Sequence, residues 1–536
     1  MEASQEQPLS LWLRRLFILA VSVWTALLLV RLTDLLVYAY PDHDQSWYLY
    51  AAQRLASGAQ LYGPKLVETN PPLIIWFSAL PVFLGHLLHL DPSLMLKAIV
   101  IALILGSVAW SRRIVRAAGS ADLPLFFYLV VCTVLSIETY IDPFDIGQRE
   151  HLLVILLLPY ILSAACGSAS KLSVAERCAL GIVAGIAICF KPQQVLVLVG
   201  LELFLVVWTR SLRRLISLDL LVAVLTVFAY LVLVRLAAPL YLSKMLPLLR
   251  DTYWAYGPKS ALSLVTGKMH FYFIFLLVFL SFLVLRRRLR FPAVPCAFLV
   301  CTLAASVAFD IQHTGWRYQF FPQKAFLLLA ILWIVIDFLT PAVKRFAANR
   351  TFGPAIAVTT LIFMLVLLPT LVIHRHRQAE LGAHHKQNLE TIFAKYPPQT
   401  PVFLLATSLE AFPGVSRYHL IWASRFPCLW MLPAIVRNEL AAAGGPAPAK
   451  VLPPQVVGSL AAMQRADTAE DLRDWKPALV VVKHCHTTDS CQGLEHLDFD
   501  TLEWFLKSPG FAAEWANYRR QTSQGDFDVY TRIRGD

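Results

Sequence analysis

The sequence predicts a mainly α-helical, polytopic membrane protein of about 11 transmembrane helices, followed by a small C-terminal α/β domain. Hydrophobic residues make up 57% of the 536 residues and charged residues only 15%, whereas a soluble protein carries roughly 25% charged residues. Apolar runs close to the ~20 residues that cross a bilayer recur as far as about residue 373. After that point the composition is that of an ordinary soluble domain.

The apolar runs supply the candidate membrane spans. The first run is too long for the core of a signal peptide and no small-residue cleavage site follows it, so we interpret it as a retained span. The candidate spans are residues 11–32, 93–111, 122–140, 151–166, 176–190, 194–209, 215–236, 270–285, 293–309, 324–340 and 354–373.

The run 72–90 is also apolar, and its placement decides the orientation of every later loop. If it crosses the membrane, the basic clusters after the spans all face outward. If it lies along the surface, they all face the cytoplasm with Arg14 and Arg15, as the positive-inside rule requires. We therefore predict a juxtamembrane element that begins at Pro71-Pro72, within a non-cytoplasmic first loop of residues 33–92. The clusters concerned are Arg112-Arg113, Arg213-Arg214, Arg286-Arg287-Arg288 and Lys344-Arg345.

Residues 1–373 form the predicted transmembrane domain, and residues 374–536 form the predicted soluble α/β domain on the non-cytoplasmic side. Within this tail, the short apolar runs 402–405 and 478–482 indicate buried strands, and 528–533 alternates like a last strand. Helical patterns near 455–465 and 501–508 lie between them.

The tail also contains the polar pair Cys485 and Cys491. Outside the cytoplasm, a disulfide that closes a small loop is the favoured interpretation. A zinc site that uses His484 or His486 is an alternative, although it lacks a second pair of well-spaced ligands. Two free thiols are the remaining possibility.

A polar segment follows the first apolar run, and Asp44 is its candidate catalytic residue. Attack by an alcohol or amine on a sugar carbon needs a carboxylate to take the proton. A short helical pattern after Asp44 would hold that carboxylate on a rigid mount. Asp42, His43 and Tyr48 are candidate substrate contacts in the same segment. Capping of the helix by the acidic residues is the alternative.

A second polar group, residues 138–151, stands directly before an unbroken apolar run. A charge near bilayer depth costs about 2.5–3.5 kcal/mol and is therefore usually paired or functional. We expect Glu150 to be a second catalytic acid that faces Asp44 across a cavity, or that shares a divalent cation with it. Asp145, Arg149 and His151 are candidate substrate contacts, with Arg149 binding an anion. A structural pair of Arg149 with Glu150 or Asp145 is the alternative.

Lys191 lies in an apolar stretch, residues 178–209, that is too long for one crossing and short for two. Because Pro192 breaks the helix, we expect two short spans that meet at a recessed turn. Lys191 would then be a cation at membrane depth, near a lipid phosphate. Snorkelling of Lys191 to the interface is the alternative.

A further polar loop between two spans offers hydrogen-bond donors, an aromatic platform and a cation. Gln312, His313, Trp316 and Arg317 are therefore candidate substrate contacts, although interfacial aromatic residues are often only belt residues. The amphipathic loop 237–269 is a candidate lipid or acceptor contact.

Several classes of function are disfavoured. The chain has no Walker-type phosphate loop and no His-Glu-x-x-His zinc helix. Its net charge of +12 comes from short clusters between apolar runs and forms no single basic face, so nucleic acid is not an expected partner.

The first external loop resembles that of the glycosyltransferase-C superfamily. It is most similar to the branch that contains the protein O-mannosyltransferases and the lipid A aminoarabinose transferases. The resemblance implies that Asp44 is the catalytic carboxylate, that Glu150 is the second acid and that Lys191 is the basic residue after the fifth span. Gln45 stands where the pattern has Glu, and the motif similarity covers about the first 210 residues. The matching residues are Asp44-Gln45-Ser46-Trp47-Tyr48, Ala52, Arg54, Gly58 and Pro71-Pro72-Leu73.

The expected function is therefore an inverting glycosyltransferase of the bacterial inner membrane. It would move a sugar from a polyprenyl-phosphate donor to a glycan, lipid or protein acceptor on the periplasmic side, with the N-terminus in the cytoplasm. No cofactor is required by the sequence, and a divalent cation stays open. A bacterial membrane is favoured because no retention signal ends the chain. The alternatives are a non-enzymatic lipid or sugar transporter, and a glycan ligase or polymerase.

Overall fold

The computed structural model describes residues 43–119, 145–257, 259–348, 389–485 and 491–533, together with a few isolated helical positions near 19–26 and 131–135. Twelve helices precede the tail in these ranges. They are α1 His43–Ala56, α2 Leu73–Leu88, α3 Pro92–Ala117, α4 Arg149–Ala165, α5 Val174–Phe190, α6 Val195–Thr209, α7 Leu218–Ala237, α8 Leu246–Thr252, α9 Ala261–Thr266, α10 Met269–Leu285, α11 Ala293–Gln312 and α12 Phe321–Ala348.

The membrane character of the chain is confirmed by these helices. Among the described residues, five are long and apolar enough to cross a bilayer, and α2 and α10 are shorter apolar helices. The predicted spans from 93–111 to 324–340 fall on α3–α7 and α10–α12, apart from 122–140. The predicted spans 11–32, 122–140 and 354–373 lie almost wholly outside the described residues. The five long helices are Pro92–Ala117, Pro192–Thr209, Leu218–Ala237, Ala293–Gln312 and Arg317–Phe338.

The helix bundle has two chemically different ends. At one end, Arg113 near the end of α3 pairs with Glu176 at the start of α5, with Nε 2.8 Å from Oε1. Arg290, just before α11, donates a hydrogen bond to the Gly119 carbonyl at the same end. At the opposite end, α4 begins, α5 gives way to Lys191, and α11 ends. The polar residues predicted to act on a substrate therefore lie at the end away from the basic clusters.

Helix α2 does not connect these two ends. Asn70, just before α2, contacts Arg149 at the start of α4. Asp91, just after α2, caps the first turn of α3, where its Oδ1 accepts a hydrogen bond from Ser93 N at 2.6 Å. Both ends of α2 therefore lie at the same end of the bundle. This geometry is compatible with the surface-lying element predicted for residues 72–90, which stays a prediction.

Two glycines allow α5 and α7 to pack closely. A Cβ at Gly181 would lie 2.4 Å from the Asp219 carbonyl oxygen, and one at Gly185 would lie 2.6 Å from Thr226 Cβ. Their spacing of four residues places both on one face of α5, the small-xxx-small pattern of membrane helix interfaces. The backbones therefore approach to a distance that any side chain would prevent.

We expect Gly181→Ala to lower the melting temperature of the detergent-solubilised protein, because overpacking against a backbone carbonyl costs about 1–3 kcal/mol. Gly106→Ala in α3 is the matched control, since a Cβ there meets nothing within 4 Å. That control should be neutral or stabilising, because alanine is the better helix former by about 1 kcal/mol. Equal melting temperatures for the two variants would contradict this account of the α5–α7 contact.

The tail is an α/β domain built on a five-stranded sheet in the order β2-β1-β3-β5-β4. Strand β1 pairs in parallel with β2 and β3, whereas β5 is antiparallel to β3 and β4. The predicted strands correspond to β1, β3 and β5, whereas β2 and β4 were not predicted. The strands are β1 Pro401–Leu405, β2 Ile421–Trp422, β3 Leu479–Lys483, β4 Tyr518–Gln524 and β5 Phe527–Arg532. The helices are α13 Phe412–Arg417, α14 Leu432–Ala442, α15 Pro454–Trp475, α16 Thr501–Leu506 and α17 Pro509–Trp515.

Cys485 and Cys491 are joined in a disulfide, with their Cα atoms 5.5 Å apart. The alternatives of a zinc site or two free thiols therefore do not describe this pair, and His486 lies outside the described residues. The His484 Nε2 atom lies 2.9 Å from Asp528 Oδ2, on the neighbouring strand β5.

The tail docks directly on α1. Tyr50 OH accepts a hydrogen bond from Trp422 N at 2.8 Å. Arg54 donates to the Ser424 carbonyl at 3.2 Å, and its guanidinium lies 4.6 Å from the centre of the Trp475 ring. The helix that carries Asp44 is thus clamped between the membrane helices and the tail.

Candidate active site

Asp44 occupies the first turn of α1 and is 6% exposed. Gln148 Nε2 donates a hydrogen bond to Asp44 Oδ2 at 2.9 Å, although the two residues are 104 positions apart. Gln45 Nε2 donates to the Ile146 carbonyl at 3.1 Å. The two polar segments singled out in the sequence therefore pack against each other. Gln148 fixes one carboxylate oxygen of Asp44, and this role was not predicted.

Asp44 opens into a cavity of about 260 Å³, here called the inner cavity. The residues that line it come from the first external loop, from the polar segment at the start of α4, from the loop 237–269, from the loop between α11 and α12, and from the tail. Those used below are His43, Asp44, Tyr48, Glu68, Asn70, Asp145, Arg149, Tyr253, Trp316, Arg317, Cys428 and Trp430.

A second cavity of about 520 Å³, here called the basic cavity, adjoins the first. Its lining includes Arg149, Lys191 and Arg250, and no Asp or Glu among the described residues. Leu246 and Leu249 supply an apolar wall. A concave site with several cations and no carboxylate suits an anion, and its apolar wall suits a hydrocarbon chain.

The two cavities have a common wall, and Arg149 is its charged member. Arg149 is 6% exposed, and one of its terminal nitrogens donates a hydrogen bond to Asn70 Oδ1. Asp44 lines only the inner cavity and Lys191 only the basic cavity. Arg149 is therefore the cation that borders both the cavity with the carboxylate and the cavity with the ammonium group. The residues that line both cavities are Thr69, Asn70, Arg149, Tyr253 and Trp316.

Two buried donors in this wall region have no hydrogen-bond partner among the described residues: Tyr48 OH and Arg149 Nε. Burial raises the pKa of the Tyr48 hydroxyl well above its usual value, so this group is a neutral donor at physiological pH. A buried donor left unpaired costs about 1–3 kcal/mol, and each such group in a native protein needs an explanation. A ligand oxygen bound at the inner cavity would supply the missing acceptor.

Glu68 is fully buried and was not predicted as a site residue. Its Oε1 accepts hydrogen bonds at 2.7 Å from both Asn70 N and Asn70 Nδ2, and its Oε2 accepts from Trp47 Nε1. Burial raises the pKa of Glu68, and these N–H donors oppose that shift. Glu68 therefore fixes the amide of Asn70, which in turn presents its oxygen to Arg149. The Glu68-Thr69-Asn70 string directly before Pro71 was the available sequence signal.

Lys191 lies in the turn between α5 and α6, where Pro192 begins a short 3-10 helix. This is the helix break that the sequence predicted. Lys191 is 4% exposed, and its Nζ lies 2.9 Å from Glu150 Oε1. A buried ammonium group at this depth is therefore paired, and it does not snorkel to solvent.

The prediction that Glu150 faces Asp44 across a cavity is wrong. Glu150 is fully buried, lines neither cavity and pairs with Lys191. Successive helix positions point about 100° apart, so Glu150 turns away from the cavities that Arg149 enters. The alternative, an ion pair of Arg149 with Glu150, is not formed either. Asp44 and Glu150 line no common cavity in which they could share a cation. Within the described ranges, no cluster of three or more His, Cys, Asp or Glu residues is placed to hold a metal ion.

Two residues predicted to contact the substrate form hydrogen bonds with backbone groups instead. His151 lines neither cavity: its Nε2 lies 2.6 Å from the Leu135 carbonyl oxygen, and its Nδ1 accepts from Gly147 N at 3.3 Å. His313 also lines neither cavity, and its Nδ1 lies 3.0 Å from the Lys259 carbonyl oxygen.

The remaining predicted contacts line one or both cavities, apart from Asp42, which lies outside the described residues. His43, Tyr48, Asp145 and Arg317 line the inner cavity, Gln312 lines the basic cavity, and Trp316 lines both.

The tail completes the inner cavity with side chains that sequence reasoning did not identify. Tyr256 OH donates a hydrogen bond to the Thr407 carbonyl at 2.8 Å, which brings the loop 237–269 against the tail. The tail residues that line the cavity are Thr407, Leu409, Pro427, Cys428, Trp430 and Gln492. No local sequence motif marks these residues, because they reach the cavity only when the tail docks on the rest of the chain.

Comparison with known proteins places this arrangement in a known architecture. No protein-family model matches the sequence, and no curated protein matches it. Two crystal structures of ArnT from Cupriavidus metallidurans are similar over 96% of this chain and 98% of theirs. The structure of ArnT bound to undecaprenyl phosphate has a TM-score of 0.55 at 14% identity, and the apo structure has a TM-score of 0.53 at 15% identity.

The chain has the glycosyltransferase-C fold. The resemblance noted in the Asp44-to-Leu73 loop is therefore confirmed at the level of architecture. The glycosyltransferase-C similarity extends over the tail as well, far beyond the first 210 residues that carry sequence motifs.

We expect Lys191→Met to destabilise the protein strongly, because removal of one partner from a buried ion pair costs about 3–5 kcal/mol. The double variant Lys191→Met/Glu150→Gln should recover much of this loss, since it leaves no uncompensated charge. Arg250→Met is the control: its side chain is 74% exposed, so the change should have little effect. Thermal unfolding in detergent measures all three, and a wild-type melting temperature for Lys191→Met alone would contradict the pairing.

Proposed function

We propose that this chain is an integral membrane glycosyltransferase that transfers a sugar from a polyprenyl-phosphate carrier to an acceptor, with inversion at the anomeric carbon. One observation carries the proposal. Arg149 stands in the wall between a cavity that holds the Asp44 carboxylate and a cavity that holds the Lys191 ammonium group. Displacement at a sugar phosphate requires a base on one side of the anomeric carbon and a site for the leaving phosphate on the other side.

The basic cavity is the proposed site of the donor phosphate. Lys191, Arg149 and Arg250 provide positive charge, and Leu246 and Leu249 provide an apolar wall for the first prenyl units. The similarity in fold to an ArnT bound to undecaprenyl phosphate supports this assignment.

The inner cavity is the proposed site of the reaction. The Asp44 carboxylate takes the proton from an acceptor hydroxyl or amine as that group attacks the anomeric carbon. The bond between the anomeric carbon and the phosphate oxygen breaks on the opposite face, and its electron pair stays on the lipid phosphate. Because negative charge grows on that phosphate in the transition state, Arg149 and Lys191 stabilise it there. Attack opposite to the leaving group inverts the anomeric configuration.

The unpaired donors fit this scheme. Tyr48 OH and Arg149 Nε have no partner among the described residues. In the proposed complex they donate hydrogen bonds to oxygens of the sugar phosphate. Gln148 holds Asp44 Oδ2 and leaves Oδ1 on the side of His43.

The charge distribution supports an orientation. The cavities lie at the end of the bundle away from Arg113 and Arg290. From the positive-inside rule we infer that the active site and the tail face the periplasmic side of a bacterial inner membrane. The proposed acceptor is a glycan, lipid or protein presented on that side.

Asp44→Asn should reduce kcat for transfer from a polyprenyl-phosphate sugar by about 10²–10⁴-fold, the usual contribution of a general base. Binding of undecaprenyl phosphate should persist, because Asp44 does not line the basic cavity. Asp474→Asn is the matched control, since Asp474 lines neither cavity and its side chain is 46% exposed. Wild-type turnover by Asp44→Asn in a lipid-linked transfer assay would remove the catalytic proposal.

Tyr48→Phe tests the unpaired donor. The melting temperature without ligand should stay the same or rise, because the change deletes a buried hydroxyl that has no partner. The increase in melting temperature on adding a polyprenyl-phosphate sugar should become smaller. Tyr50→Phe is the opposite control: it loses the bond from Trp422 N, so it should lower stability and leave the ligand-induced increase intact. A full ligand response in Tyr48→Phe would exclude Tyr48 from the donor site.

A further inference from the structure

A third concave site lies on the reverse side of α1. This cleft, here called the outer cleft, has a volume of about 650 Å³, larger than either cavity of the active site. Three parts of the chain form it: α1, the turn between α2 and α3, and the tail around α13 and β2. Its volume falls within the range of about 300–1,000 Å³ that is typical of ligand sites.

Helix α1 is the partition between the outer cleft and the inner cavity. Asp44 and Tyr48 line the inner cavity, whereas Leu49, Gln53 and Ala56 line the outer cleft. Two faces of α1 therefore border spaces that can hold a ligand. A molecule bound in the outer cleft would contact the helix that carries Asp44 without entering the reaction centre.

The chemistry of the outer cleft differs from that of the basic cavity. No Lys or Arg lies among its described lining residues. Asp91 is the one carboxylate among the lining residues that the structure describes, and one of its oxygens already accepts a hydrogen bond from Ser93 N at 2.6 Å. Hydroxyl, amide and imidazole groups alternate there with aliphatic side chains such as Leu49 and Ile421. This lining suits a neutral ligand that offers hydroxyl groups and C–H faces together, which is the surface of a sugar.

Two residues at the rim have an unusual backbone conformation. Gln399 has φ of 65° and His419 has φ of 53°, and Gln399 N donates a hydrogen bond to the His419 carbonyl at 2.8 Å. The left-handed region costs a residue with a Cβ about 1–2 kcal/mol, and glycine adopts it freely. The chain nevertheless places two side chains with hydrogen-bonding groups at these positions, and both line the outer cleft. Strain of this kind is typical of binding sites.

The outer cleft lies beside a helix, α2, that has an exposed apolar face. His86 near the end of α2 lines the cleft, and Phe83 and Leu87 on the same helix are both 62% exposed. An exposed apolar stripe on a surface-lying helix suits contact with lipid. The cleft is therefore within reach of a sugar whose lipid anchor lies in the membrane.

We propose that the outer cleft is a second carbohydrate-binding site, which holds neutral sugars of a membrane-attached glycan on the reverse face of α1. This inference goes beyond the proposed transfer reaction, and it does not depend on Asp44 being the base. Binding here is measured without any donor, so loss of the catalytic proposal would leave it standing.

The test uses the full chain in phospholipid nanodiscs and a panel of neutral oligosaccharides of two to five sugars, each both free and attached to a lipid. Saturation-transfer difference NMR measures binding of the free sugars, and retention on immobilised nanodiscs measures binding of the lipid-attached ones. Ala56→Trp, which fills the cleft from α1, should reduce binding at least tenfold. Stronger binding of the lipid-attached forms supports a glycan attached to the membrane. Equal binding of both forms would contradict membrane attachment and indicate a soluble glycan.

The variants His419→Gly and Gln399→Gly separate a role in sugar binding from a role in stability. Glycine relieves the left-handed strain, so the melting temperature should stay the same or rise while sugar binding falls at least tenfold. Lys476→Gly is the matched control, because Lys476 also has a positive φ of 46° and lies outside the cleft. It should keep wild-type binding. The proposal is overturned if no neutral sugar binds, if the glycine variants at the rim bind normally, or if phosphorylated sugars bind better than neutral ones.

Discussion

The structure depends on one electrostatic constraint: positive charges buried near the membrane need partners of their own. Lys191 is 2.9 Å from Glu150, and Arg149 is held by Asn70, which Glu68 fixes in turn. Each buried cation thus has a counter-charge reached directly or through a hydrogen bond. A buried charge without such a partner costs several kcal/mol, so these contacts favour the packing of the start of α4 against the end of α5 and the first external loop.

The same constraint separates carboxylates that pair with buried groups from a carboxylate that faces a cavity. Glu150 and Glu68 are fully buried and committed to Lys191, Trp47 and Asn70. Asp44 is held by Gln148, an uncharged residue, and it opens into the inner cavity. It is the acidic residue of α1 in that cavity, and no ion pair with a lysine or arginine restrains it among the described contacts. The proposal that Asp44 is the general base rests on this difference.

The clamping of α1 links the membrane helices to the tail. One end of the helix meets Gln148 and Ile146, and its later turns meet Trp422 and Ser424. A rigid mount of this kind keeps a catalytic group within the narrow geometry that reaction requires. The tail also contributes to the inner cavity, which Cys428 and Trp430 line.

The sequence by itself determined which segments are helical, where the helix breaks at Pro192 and which polar segments lie at one end of the bundle. These properties follow from local patterns of hydropathy, proline and charge. It also singled out Asp44, Arg149 and Lys191 as candidates, because polar residues beside apolar runs are conspicuous, and the structure places all three in the lining of two adjoining cavities. Only the tertiary structure decided that Lys191 pairs with Glu150, that His151 and His313 bind backbone carbonyls, and that the tail closes the cavity. The direction of a side chain around its helix, and contacts such as that of Arg54 with Ser424 across 370 positions, depend on long-range docking that no local pattern records.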